Sequence, residues 1–158
     1  MSGLERSTTV AAPPERVWEV LADFGAIATW VPMIQHSCLL SEQTEHPGTV
    51  RRVQIARQTL VERVVVWRPS QELAYDIEGL PPIVGTTRTT WRLTPLDDGT
   101  RPSTRVVLTT EIDTGRNPVK ALVAKKGLER MALATELMLA GLSTTATPDE
   151  PAAQEEAP

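Results

Sequence analysis

The sequence predicts an α+β domain, in which a seven-stranded antiparallel sheet is covered by one long C-terminal helix and two short helices follow the first strand. Three observations carry this. Residues 13–32 show helical spacing directly behind a β-like opening at 4–10. Roughly eighty residues then alternate with period two, and from Asn117 the helical period returns. An antiparallel sheet needs a cover on its apolar face, and the last helix is the one element long enough to cross it.

Taken in order, Pro13 and Pro14 open the first helix, where the missing proline N–H costs nothing. Val17, Leu21 and Phe24 share a face, Gly25 breaks the helix, and a second short turn carries Ile27, Trp30 and Val31 before Pro32. Strands are expected at 34–41, 49–57, 59–67, 72–78, 86–94 and 104–113. The residues between them are turn formers: His46-Pro47-Gly48, Arg68-Pro69-Ser70, Gly79-Leu80-Pro81-Pro82 and Asp97-Asp98-Gly99. Short connections of this kind favour sequential antiparallel neighbours. Asn117 is the expected N-cap of the last helix with Pro118 at its first position. Val119, Leu122, Val123, Met131, Ala134, Leu137 and Met138 form the expected stripe, and Gly141 with the Ser-Thr-Thr behind it marks the expected end.

Composition narrows the function classes. The formal charge is −4, but residues 143–158 contribute Asp149, Glu150, Glu155 and Glu156 and no base. The remaining acidic and basic side chains balance, so the body lacks the clustered positive charge of a nucleic-acid footprint. Residues 1–142 read as the folded domain and 143–158 as a disordered acidic tail rich in Pro, Ala and Glu. Cys38 is the single cysteine, which excludes an internal disulfide. No apolar run is long enough for an integral membrane segment, and no signal-peptide pattern is seen, so a cytoplasmic location is expected. The Arg-rich, Lys-poor usage suits a GC-rich bacterial genome.

Several words resemble one family. They are VAAPPERVWEVLADFGAIATWVP at 10–32, GTVRRV at 48–53, ERVV at 62–65, LAYDI at 73–77 and TRVVLTTE at 104–111. In this order and spacing, with the terminal helix, they resemble the polyketide cyclase/dehydrase branch of the START-like (Bet v 1-like, SRPBCC) superfamily over residues 4–142. The resemblance implies a helix-grip fold, a curved sheet gripping the long helix with an apolar cavity between them. It says less about function, because the superfamily spans carriers, receptors and aromatase/cyclases.

Strand parity divides 59–67 into one face with Leu60, Glu62, Val64 and Val66 and another with Val61, Arg63, Val65 and Trp67. Similarity to plant hormone receptors of this fold turns Glu62 inward. The same parity and resemblance place Val53, Ile55, Tyr75, Ile77, Thr87, Thr89, Trp91 and Thr109 on the inner face, and Val119, Val123, Gly127 and Met131 of the helix against the cavity. Such a box, apolar with a few hydroxyls and one acid, has the composition of a small-molecule pocket and equally that of a core with satisfied threonines.

Glu62 has three readings: a ligand-orienting acceptor, a structural partner of an arginine such as Arg51, or a general acid/base. Tyr75 is the second acid/base candidate, against a plain reading as a buried strand aromatic. His36 and His46 lack metal-ligand spacing to other donors, so neither a metal nor a cofactor is expected. Cys38 reads as a small buried hydrophobe, and Arg57, Arg63, Arg88, Arg92 and Arg105 as a solvated outer face. The apolar loop 79–85 reads as a lid, an oligomer contact or an ordinary turn. The leading function is binding, with transport as an extension, of a small hydrophobic molecule such as a lipid, isoprenoid or polyketide-like compound by a monomer or homodimer. The alternatives are a cyclase, aromatase or dehydratase using Glu62 and Tyr75, and a protein-interaction module.

Overall fold

The computed structural model describes residues 2–97, 99 and 101–148. The chain runs β1 (Ser2–Val10), α1 (Pro14–Ala22), a 3₁₀ segment (Phe24–Thr29), β2 (His36–Leu39), β3 (Val50–Ile55), β4 (Gln58–Arg68), β5 (Glu72–Glu78), a short 3₁₀ turn (Pro82–Val84), β6 (Thr86–Leu96), β7 (Ser103–Asp113) and α2 (Pro118–Ala146). The seven strands form one sheet in the order β1-β7-β6-β5-β4-β3-β2, with every neighbour antiparallel. This is a meander from β2 to β7 closed by β1 against β7, and the curved sheet holds α2 in a helix-grip arrangement.

The alternation expected from the sequence sets the two faces. Val53, Leu60, Glu62, Val64, Leu73, Tyr75, Thr89, Trp91, Val106 and Leu108 are buried toward the helix. The outer face carries cross-strand ion pairs: Arg88–Asp76 at 2.7 Å, Arg63–Glu78 at 3.5 Å and Arg92–Glu72 at 3.7 Å. They use three of the five arginines expected on the outer face, Arg63, Arg88 and Arg92, and pairs of this kind contribute little in high dielectric. Asn117 caps α2 as expected, its side-chain oxygen accepting from the Val119 and Lys120 amides at 2.9 and 3.3 Å.

Four local expectations are corrected. A β-bulge between Val64 and Val66 shifts the register of β4 against β5, so Trp67 turns inward and packs edge-on against Trp18 of α1 at 5.1 Å. The buried face of α2 runs through Ala124, Leu128, Thr135, Leu139, Leu142 and Ala146, while Val119, Leu122 and Leu137 of the expected stripe face solvent. The helix also passes Gly141 and Ser143 and ends at Ala146. Gly141 sits inside it because a Cβ there would run into the Trp30 carbonyl oxygen; the glycine permits a close helix crossing and does not stop the helix. Cys38 is exposed on edge strand β2 and is not a buried hydrophobe. Of the expected acidic tail, residues 149–158 lie outside the described residues.

Candidate functional site

The hydrogen-bonded register makes Arg51 of β3 and Glu62 of β4 direct cross-strand partners on the inner face. Both are buried, Arg51 at 2% and Glu62 at 7% exposure. Arg51 Nε donates to Glu62 Oε2 at 2.5 Å, and its Nη1 donates to the Phe24 carbonyl at 2.9 Å. Its guanidinium carbon lies 3.8 Å from the centre of the Phe24 ring and 4.7 Å from that of Tyr75. The cation is therefore wedged between two aromatic faces and an acid. The two ring faces attract the cation, and the acid offsets its charge within the core.

Tyr75 joins this pair to a wider aromatic cluster. Its ring meets Phe24 edge-on at 5.5 Å, and its hydroxyl accepts from Trp91 Nε1 at 3.3 Å. Trp91 in turn meets Trp30 at 6.0 Å. Burial, with the Glu62 charge as the second cause, pushes the Tyr75 pKa up to about 12. The phenol thus stays protonated throughout the neutral range, as a hydrogen-bond donor.

Beside this cluster, between the sheet and α2, lies a cavity of about 230 Å³. Its most buried wall consists of Glu62, Tyr75, Thr89, Leu108 and Thr110. Leu60, Ile55, Ile77 and Leu80 continue the sheet side, and Met131, Ala134, Thr135 and Met138 form the helix side. Ile27, Met33 and Ile34 close the wall behind α1. Exposed Gln58 and Arg130 stand at the mouth. The composition is that of a ligand pocket, mostly apolar with a few convergent polar groups, although the volume is below the usual range of about 300–1,000 Å³.

Of the residues expected at the site, Ile55, Leu60, Glu62, Tyr75, Ile77, Thr89 and Met131 are brought together on this wall. Val53, Val64 and Trp91 point inward but are locked in the solid core. Thr87 is buried one turn of the pleat beyond the cavity, paired across the sheet with Ile112. Thr109 is misplaced: Val106, Leu108, Thr110 and Ile112 are the inward residues of β7, so Thr109 faces the convex side and Thr110 lines the cavity. The signal was present in the sequence, because Arg105 and Glu111 share the parity of Thr109. Val119, Val123 and Gly127 also do not reach the wall. Val119 is 60% exposed, and a Cβ on Gly127 would touch nothing within 4 Å. The rotation of α2 that buries Ala124 and Leu128 carries all three away from the cavity. Ala134, Thr135 and Met138 take their place, and Leu80 from the apolar 79–85 loop completes the rim.

The family model described as polyketide cyclase / dehydrase and lipid transport matches residues 1–146. The chain belongs to this family. No curated protein matches it. Among solved structures it resembles the Zhui aromatase/cyclase from Streptomyces sp. R1128, with 28% identity and a TM-score of 0.73 over 92% of this chain and 93% of that one. A protein from Thermobifida fusca is 27% identical with a TM-score of 0.67, covering 95% and 99% of the two chains. The di-domain ARO/CYC BexL shares the fold at 16% identity and a TM-score of 0.68, this chain covering 51% of its length.

Proposed function

We propose that this family member binds a small hydrophobic molecule non-covalently in the cavity between the sheet and α2. The observation that carries the reading is a cavity of about 230 Å³ with mostly apolar walls and a few convergent polar groups, beside a core that is otherwise closely packed. Water gains little from such a surface, and an apolar ligand removes it from solvent at roughly 25 cal/mol per Å². Native mass spectrometry of the protein purified from its own host tests this. A co-purifying small molecule that Ala134→Phe expels is the expected result. An empty protein that also fails to take up an apolar fluorescent probe overturns the reading.

A second reading, turnover of a carbonyl substrate, is favoured by the likeness to the Zhui aromatase/cyclase. Glu62 and Tyr75 would be its acid/base residues, with Thr89 orienting the carbonyl. The Arg51–Glu62 pair and a tyrosine held near pKa 12 suit binding better than proton transfer at neutral pH. Loss of turnover in Glu62→Gln with binding retained supports the enzyme. Full turnover in both Glu62→Gln and Tyr75→Phe removes it.

A further inference from the structure

The polar groups on the buried wall of the cavity are not interchangeable, and their hydrogen-bonding state restricts what can sit against them. Arg51, the nearest cation, is sealed behind Glu62: its side chain is 3% exposed and does not line the cavity. Nε is taken by Glu62 Oε2 and Nη1 by the Phe24 carbonyl. Glu62 itself does line the cavity. Its Oε1 accepts no hydrogen bond from a described residue, so one acceptor oxygen is left for a ligand. The Tyr75 hydroxyl already accepts from Trp91 Nε1, and its own proton is donated to no described residue. The wall therefore offers Glu62 Oε1 as an acceptor and the Tyr75 hydroxyl as a donor, beside the Thr89 and Thr110 hydroxyls, with its cation withdrawn.

We propose that this wall selects an uncharged ligand bearing a hydroxyl, phenolic or alcoholic, which donates to Glu62 Oε1 and accepts from Tyr75 OH. The inference rests on the cavity being a ligand site. A carboxylate would set a second anion against Glu62 in a low-dielectric wall, where like charges repel strongly. A ketone satisfies Tyr75 and leaves Glu62 unpaired. A pure hydrocarbon leaves both unpaired, and a buried polar group without a partner costs about 1–3 kcal/mol. Exposed Arg130 stands at the mouth, where it can hold a carboxylate away from the wall, so the charge selectivity of the wall itself is read in Arg130→Gln.

The test is a matched two-ring series, naphthalene, 2-naphthol, 2-acetylnaphthalene and 2-naphthoate, titrated by calorimetry into the full chain and into Arg130→Gln. The expected order is 2-naphthol about tenfold tighter than naphthalene, as two net hydrogen bonds imply. In Arg130→Gln, 2-naphthoate should be at least about tenfold weaker than 2-naphthol, because the anchor at the mouth is gone. Tyr75→Phe should reduce the advantage of 2-naphthol over naphthalene to about threefold or less. Equal affinity of 2-naphthol and naphthalene, or of 2-naphthol and 2-naphthoate in Arg130→Gln, overturns the selectivity while leaving the cavity a binding site. Failure of all four, naphthalene included, overturns the binding reading and the selectivity with it. The series on the unaltered chain decides the matter even if Tyr75→Phe does not fold.

Discussion

The two ends of the groove between sheet and helix are built from the same alternation and finish in opposite states. Toward the bulge, Trp18 packs on Trp67, Trp30 on Trp91 and Phe24 on Tyr75, and no space is left. Toward Leu60, Ile77 and Leu80 the inward residues are aliphatic or threonine, the facing helix residues are Ala134, Thr135 and the flexible Met131 and Met138, and a cavity remains. Side-chain volume alone makes the difference, since parity and register run on unchanged from one end to the other apart from the bulge. A sheet that grips a helix becomes a pocket where its bulky aromatics stop.

The largest effect should therefore come from emptying the closed end. Trp91 is 1% exposed, and Trp91→Ala should lower the unfolding free energy by about 3–5 kcal/mol in urea denaturation. A loss below about 1 kcal/mol would mean that this end relaxes as the open one can.

Much of this architecture is legible in the sequence, for identifiable reasons. Period two fixes the strands, Pro-Gly turns fix the meander, and the possibility that Arg51 pairs with Glu62 follows from both residues being inward on neighbouring strands. Three features were not legible. The bulge at Val65 leaves no mark in a run of valines, so the inward turn of Trp67 is set by its contact with Trp18. The face of α2 is ambiguous because Leu and Val occur all round the helix, and only packing distinguishes Leu128 from Leu133. Gly141 looks like a terminator until the Trp30 carbonyl is seen against it. Thr109 is a different case, since the charged neighbours of β7 already opposed it.

Alkaline titration probes the junction of the two ends, where Tyr75 touches both the aromatic core and the cavity. Its pKa of about 12 in the folded chain lies above the unfolded value near 10. The unfolded state loses this proton first, so the contribution of Tyr75 is whole below pH 10 and is lost as pH rises to 12. The loss should be roughly 3 kcal/mol across that window, and Tyr75→Phe should abolish this part of the slope in pH-dependent denaturation. An unaltered slope would show that the folded phenol ionises as readily as the unfolded one.

Adding volume should cost stability at one end and function at the other. Val64 is 1% exposed in the packed core, and Val64→Phe should cost about 1–3 kcal/mol by overpacking. Ala134→Leu enlarges a residue on the cavity wall, and should change stability by less than about 1 kcal/mol while weakening ligand uptake. Equal costs at the two positions would mean that the cavity is not free space in solution.

The smallest and sharpest contrast lies in two glycines of α2. A glycine inside a helix is worth about 0.5–1 kcal/mol less than alanine, so replacement stabilises wherever a methyl group fits. At Gly127 the new Cβ meets nothing within 4 Å, and Gly127→Ala should raise the unfolding free energy by that amount. At Gly141 it meets the backbone carbonyl of Trp30, which cannot swing aside as a flexible side chain would. Gly141→Ala should therefore reverse the sign and lose on the order of 1 kcal/mol or more, as α2 is pushed off the closed end. Paired urea melts of the two variants measure this directly. The same substitution in the same helix then reports which end of the groove is filled, and two stabilising results would place the closest approach of helix and sheet somewhere other than Trp30.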